Sequence, residues 1–381
     1  MSLTKIKKYF YFFLILLFVD FFLTNFILKR TYLWKKINIT DQHWRIKSNI
    51  YDHDLKPNVN VTNNWQLFSY SFLTNSLGFR DSKNKIISKK NNENKKRILL
   101  IGDSFLEGMG YEYEKTLAGL IEDNFKNNYE IFNSGVASYS PGIYYLKTKY
   151  YLDKGYEFDQ AVVFLDLSDI YDEFFYYYNP DKTKIINHEL AQKKSSSIKK
   201  YLYNSFVFLK SNTVFFQLLF QISDQAEIYK NYIKLKYKAS KEFQKSFFST
   251  SFEEVMFYRM ITVDRGHWTY SENNYLKVTD GIFKSKYFLK KLFKLLNDHQ
   301  IKSYLVIYPW PSQIYYGDKY HQTIWKEFAS ENNINFISLY NEFDFLNSKK
   351  TILENFILGD VHWNSEGTKK IFNGLLKSNI F

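Results

Sequence analysis

The stretch "ILLIGDSFLEGMG", Ile98 to Gly110, decides how the rest of the chain is read. Four apolar residues, Ile98 to Ile101, run without a polar break into Gly102-Asp103-Ser104. A short apolar run that stops at turn residues is the mark of a strand buried on both faces. Working outward, the same rhythm recurs. "TLAGLIEDNF" (Thr116–Phe125) has helical spacing, and "YEIFNSGV" (Tyr129–Val136) runs apolar into a glycine turn. "PGIYYLKTKYYLDKG" (Pro141–Gly155) reads as a helix with proline at its start and glycine at its end. "QAVVFLDLSD" (Gln160–Asp169) is a third buried strand. Further on come an amphipathic helix over Gly281–Gln300, a strand in "KSYLVIYPWP", a helix in "YHQTIWKEFASENN", a strand in "INFISLY" and a closing helix in "NSEGTKKIFNGLLKS". This alternation predicts an α/β fold with three α/β/α layers around a five-stranded parallel sheet.

The rhythm breaks between residues 171 and 280. Loop-like "YYYNPDKTK" and "QKKSSSIKK" stand there beside two aromatic helix candidates, Phe206–Ile222 and Ala226–Phe248. We read a helical insertion, expected to act as a lid or a substrate platform. Residues 31–96 read as a linker and edge segment. In it "NSLGFRDS" (Asn75–Ser82) is a turn into an edge strand, and Lys83–Arg97 is a polar loop. Residues 97–381 form the main domain.

The N-terminus carries a different signal. After Lys5, Lys7 and Lys8 comes "YFYFFLILLFVDFFLTNFIL", Tyr9 to Leu28, interrupted only by Asp20, Thr24 and Asn25. Twenty helical residues span about 30 Å, the hydrocarbon thickness of a bilayer. The exit "LKRTYLWKK" has no small-residue cleavage site, so residues 1–30 are expected to be a single-pass signal anchor. Lysine and arginine flank the segment on both sides, so charge alone leaves the orientation open. A periplasmic body is expected from function rather than from charge.

Composition narrows the function. The 381 residues carry a formal net charge of +13, and their basic residues are scattered in small knots. A solvated lysine-rich surface accounts for that pattern, and no nucleic-acid partner is expected. The chain has no cysteine, which excludes disulfides, thiolate metal sites and a cysteine nucleophile. No metal or organic cofactor is implied.

A serine hydroxyl is a weak nucleophile until a base takes its proton and a third group fixes that base. Near the C-terminus Asp360-Val361-His362 offers both, with Ser104 as the nucleophile. The backbone N–H groups of Ser104 and Gly135 and the hydroxyl of Ser168 are the candidate oxyanion donors. His43, His53, His188, His267, His299 and His321 lack such a combination and read as surface or packing residues.

Taken together, these blocks resemble the SGNH, or GDSL-type, hydrolase superfamily. "GDSFLEG" looks like its first block and "NSGVASYS" like its glycine block. "DLSD" stands where the family shows Gly-x-Asn-Asp, and "GDVHWNSEG" stands at its Asp/His block. The resemblance implies a flavodoxin-like fold and ester chemistry through Ser104, His362 and Asp360. There are two departures: Ser168 replaces an oxyanion asparagine, and Asp-x-His replaces Asp-x-x-His. The second is similar to a membrane-associated branch that includes polysaccharide O-acetyltransferases. The reading is thus a serine ester hydrolase acting on acyl esters, acetyl foremost, of a glycan. The alternatives are an O-acetyltransferase acting on an exported polysaccharide and a non-catalytic glycan-binding module.

Overall fold

Strand formation starts with burial. In the computed structural model, which describes residues 3–31, 34, 44–65, 68–91, 95–176, 178, 179, 181–185, 197–269 and 272–381, Ile98 to Ile101 are at most 2% exposed. Contacts divide the chain into two units: residues 1–42 with 190–250, and residues 43–189 with 251–381.

The larger unit opens with two antiparallel pairs, β1 (Arg45–Ser48) with β2 (Asp52–Leu55) and β3 (Asn60–Trp65) with β4 (Phe68–Leu73). Next come β5 (Lys96–Ile101), the one-turn helix α1 (Ser104–Glu107), α2 (Leu117–Phe125) and β6 (Tyr129–Asn133). They are followed by α3 (Pro141–Asp153), β7 (Gln160–Leu165) and α4 (Leu167–Phe175). After the smaller unit's segment the chain returns through α5 (Phe252–Ile261), α6 (Glu272–Asp298) and β8 (Lys302–Ile307). The last elements are α7 (Pro311–Tyr316), α8 (Tyr320–Glu331), β9 (Asn335–Ser338), α9 (Ser348–Asn355) and α10 (Ser365–Lys377).

The five strands are all parallel, in the order β6-β5-β7-β8-β9. Leu99 of β5 pairs with Phe132 on one side and Ala161 on the other. This is the three-layer α/β/α arrangement expected from the sequence. Right-handed crossovers fix the layers. The chain steps one way from β5 to β6, then back past β5 to β7, which puts α2 and α3 on opposite faces. Consistent with this, α3 and α4 pack on α6, while α2 packs on α10. The order reverses at β5, and ligands of open α/β sheets bind at the carboxyl ends beside such a reversal. Ser104 and Asp166 follow the two strands that meet there.

Two expectations meet a different arrangement. The segment before β5 is built into the body. Arg80 bridges β6 at Asn133, and its buried guanidinium donates to the carbonyls of Glu107, Gly108 and Tyr111. The turn before Arg80 needs glycine, because Gly78 has φ +79° and a Cβ there would lie 2.3 Å from the Leu55 carbonyl oxygen. The span 171–280 is also not one insertion. Its last part, including α5 and the start of α6, belongs to the larger unit, where the Trp268 indole donates to the Leu167 carbonyl at 3.0 Å. Only residues 190–250 group with the N-terminal helix. His43 and His188 lie outside the described residues.

The smaller unit contains an N-terminal helix over Leu3–Phe26 and two further helices over Ser197–Asn212 and Val214–Glu242. Lys5–Arg30 is long and apolar enough to cross a membrane.

Glu107 holds the start of the larger unit together. Its carboxylate is fully buried, accepts from Arg45 at 2.5 and 3.2 Å, and accepts the Ala137 N–H at 2.7 Å. Breaking a buried pair from one side leaves an uncompensated charge, which costs about 3–5 kcal/mol. Arg45→Met is therefore expected to lower unfolding stability by about that amount, read from the denaturant midpoint. Lys149→Ala, which removes an exposed pair with Asp153, is expected to change it by under about 1 kcal/mol. Equal effects of the two substitutions would contradict this account of Glu107.

Candidate active site

Each site residue is delivered by a local feature of the chain. At the end of β5, Gly102 lets the backbone turn where a Cβ would crowd Leu106 at 3.1 Å and Phe164 at 3.3 Å. Asp103 caps α1 by accepting the Phe105 N–H at 3.0 Å, which places Ser104 on the first residue of the turn. On the far side, the loop before α10 is a tight turn. Asp360 N–H donates to the Ile357 carbonyl at 2.8 Å, and Ile357 N–H to the His362 carbonyl at 2.9 Å. Gly359 sits in that turn at φ +79°. The turn brings Asp360 and His362 together across one intervening residue.

The result is a continuous chain of hydrogen bonds. His362 Nε2 lies 2.8 Å from Ser104 Oγ, and His362 Nδ1 lies 2.6 Å from Asp360 Oδ1. With Nδ1–H donated to the carboxylate, Nε2 is left as the acceptor for the serine proton. The Ser104 hydroxyl has a second acceptor, Asp103 Oδ2, at 3.1 Å. One proton cannot serve both, so the hydroxyl is shared between His362 and its own helix cap.

Electrostatics favour a charged pair at Asp360 and His362. Burial opposes the Asp360 carboxylate, but His362 and the donors around it outweigh burial and hold its pKa well below the usual range. Burial likewise disfavours the imidazolium, yet Asp360 beside it raises the His362 pKa above the ordinary 6.5. The other Asp360 oxygen accepts from the Trp65 indole at 3.0 Å, and the Trp65 ring stands edge-on to the His362 ring at 5.7 Å. Phe105 covers the imidazole from another side, with ring centroids 4.7 Å apart.

The candidate oxyanion donors divide. Ser104 N–H lies at the start of α1. Gly135 N–H donates to Asn133 Oδ1 at 3.1 Å, and no side chain fits at Gly135, since a Cβ would lie 2.8 Å from Leu106 Cβ. Ser168 is placed differently from the expectation. Its hydroxyl donates to Asp166 Oδ2 at 2.5 Å and its N–H to the same oxygen at 3.1 Å, so its one proton points to a buried carboxylate rather than toward Ser104. The glycine loop is clamped on both edges. Ala137 N–H is held by Glu107, and its carbonyl lies 2.8 Å from His53 Nε2.

Among the described residues, Asp103, Asp166 and Asp169 have carboxyl oxygens that converge within 4.8 Å, the one grouping with metal-ligand proximity. Their oxygens accept from Ser168, Trp310, Tyr144 at 2.7 Å and backbone N–H groups. Burial, with added repulsion between the carboxylates at Asp103 and Asp169, pushes all three pKa values up. Burial that disfavours their charged forms makes the three a poor cation set. Of the other histidines, His321 is fully buried and burial pushes its pKa down to about 3, consistent with packing.

Sequence reasoning missed Trp65, Glu107 and His53. Glu107 lay inside the quoted "GDSFLEG", but only its partners show what it does. No local signal marked Trp65, whose partner is 295 positions away.

No protein-family model matches the chain, and no curated protein matches it. Solved structures do. One is an acetyl xylan esterase, AlAXEase, at 12% identity and TM-score 0.40, covering 74% of this chain and 100% of that one. Another is the psychrotrophic esterase EstA from Pseudoalteromonas sp., at 11% identity and TM-score 0.37, covering 75% and 96%. A third is a member of the lipolytic protein G-D-S-L family from Veillonella parvula, at 12% identity and TM-score 0.37, covering 74% and 97%.

The electrostatics of the pair can be read directly. Asp360→Asn removes the largest of the charges that raise His362 while burial stays, so the His362 pKa is expected to fall in a side-chain NMR titration. Trp65→Phe removes one donor to Asp360 and is expected to raise the Asp360 pKa. A His362 pKa indifferent to Asp360→Asn would break the assignment.

Proposed function

We propose that this chain is a membrane-anchored serine ester hydrolase of the SGNH type. Ser104 is the nucleophile, His362 the general base and acid, and Asp360 the group that orients and stabilises the imidazolium. The single observation that carries this reading is the hydrogen-bonded chain Ser104–His362–Asp360, with links of 2.8 and 2.6 Å.

In the forward step Ser104 Oγ attacks the acyl carbon while His362 Nε2 takes the hydroxyl proton. The tetrahedral oxyanion is met by the Ser104 N–H and by the Gly135 N–H, which exchanges Asn133 for the substrate. His362 then gives its proton to the leaving alkoxide, and an acyl-enzyme forms. Water, deprotonated by His362, attacks the acyl carbon and restores Ser104. A glycan hydroxyl in place of that water makes the same site an O-acyltransferase. Ser168 serves in this scheme by holding Asp166 beneath the site, not by donating to the oxyanion.

One feature supports a short acyl group. A small, narrow pocket beside His362, lined by Phe105, Met109, Leu117 and Trp363 together with Thr116 and Thr368, leaves no room for a long chain. An acetyl ester of a glycan is the substrate class we assign. The apolar helix at Lys5–Arg30 supports an anchor, and the exported-glycan substrate assigns the residues beyond it to the periplasm.

The test is hydrolysis of p-nitrophenyl acetate. Ser104→Ala and His362→Ala are each expected to lower kcat by on the order of 10⁴-fold or more, and their double variant by no more than either alone. His362 must be neutral to accept the proton. Because its pKa is raised, kcat/KM is expected to rise with pH along a limb centred above 6.5, and Asp360→Asn to move that limb to lower pH. Wild-type turnover equal to that of Ser104→Ala sinks the enzyme reading.

A further inference from the structure

An apolar span tolerates few polar residues. Asp20, Thr24 and Asn25 break the apolar run, and Thr24 is fully buried although the helix around it is largely exposed. All three are used on the same feature, the joint between Ser197–Asn212 and Val214–Glu242. There the chain turns through 109° at Thr213. Asp20 accepts the Val214 and Phe215 N–H groups at 3.0 and 2.9 Å, and Thr24 donates to Asp20 at 3.0 Å. Asn25 donates to the Asn212 carbonyl at 3.2 Å, and Lys29 to the Asn212 side chain at 2.8 Å. Thr213 caps Phe216 N–H at 3.3 Å.

A broken helix exposes N–H and C=O groups that water satisfies but hydrocarbon does not, at several kcal/mol each. A carboxylate in an apolar span carries a similar penalty unless it finds partners. Here each supplies what the other lacks, and the positive end of the second helix faces the carboxylate. At 1.5 Å per residue, Asp20 lies about 14 Å along the axis from Lys29, well inside a 30 Å hydrocarbon layer. The outer surface around the joint is apolar as well. Phe206, Phe208, Phe215, Leu218, Leu219 and Ile222 are 40–67% exposed, continuous with the exposed apolar wall of the N-terminal helix. Beyond Ile222 the helix turns polar, from Ser223-Asp224 onward.

We propose that the joint at Thr213 is embedded in the bilayer beside the N-terminal helix, so that Ser205–Ile222 is a broken, membrane-inserted segment covered by lipid acyl chains. This rests on the reading of Lys5–Arg30 as a membrane anchor. It assigns the middle of the expected insertion to lipid, in place of a lid or a substrate platform.

The absence of cysteine makes the test clean. Single variants Phe208→Cys, Leu219→Cys, Leu14→Cys and Lys326→Cys of the full chain are labelled with an environment-sensitive fluorophore and placed in phosphatidylcholine vesicles. Circular dichroism matching the wild type qualifies each variant. Labels at 208 and 219 are expected to be quenched at least twofold by doxyl-labelled lipid and to ignore iodide, as at 14, while 326 shows the reverse. Iodide access at 208 and 219 with lipid quenching at 14 overturns the proposal and leaves the anchor standing. Shielding at 208 and 219 from both quenchers overturns it in favour of a protein partner or a second copy. Iodide access at 14 removes the anchor and the proposal together.

Discussion

The contact between Ser104 and His362 joins residues 258 positions apart, and most of the larger unit can be understood as the means of holding it at 2.8 Å. A hydroxyl becomes a nucleophile only while a base lies within hydrogen-bond reach, so an error of 1 Å there costs more than a comparable error elsewhere. The parallel sheet sets one partner, because β5 is buried on both faces and must end where Gly102 permits the turn. The loop before α10 sets the other, because its hydrogen bonds leave Asp360 and His362 no independent freedom. Between them stand Trp65 and Phe105, which fix the imidazole by contact rather than by chemistry.

Charge burial gives the site its second layer. Glu107 is fully buried directly behind the Ser104 turn and ties three segments: the N-terminal hairpin through Arg45, the glycine loop through Ala137, and its own helix. Asp103, Asp166 and Asp169 form a neighbouring layer of raised pKa. Asp103 touches Ser104 as well, and burial, with Asp166 beside it, raises its pKa.

Much of this was legible in the sequence because its signals are local. Strands β5 and β7 are continuous apolar runs, and a strand buried on both faces has few other ways to be written. Ser104, Asp360 and His362 were legible by residue type and by their place at strand and helix ends. What stayed hidden depends on distant partners. Glu107 carries no local mark of its role until Arg45 is set beside it. Ser168 fits an oxyanion role by position alone, whereas its hydroxyl turns to Asp166, two residues back, because that buried carboxylate needs a donor. The helix candidate Phe206–Ile222 hides a break at Thr213, since its apolar spacing continues across the joint. The break is stabilised by Asp20, whose placement within an apolar run looked like a defect in an anchor.

The larger unit brings Ser104, His362 and Asp360 into one hydrogen-bonded chain and the smaller one carries an apolar surface, and the proposed triad is the central claim. Incubating the full chain with a fluorophosphonate and measuring its intact mass tests it most directly. The account predicts a single covalent adduct that peptide mapping places on Ser104, formed faster as pH rises through the His362 pKa and absent in Ser104→Ala. No adduct on the wild-type chain, or one that persists in Ser104→Ala, would contradict it.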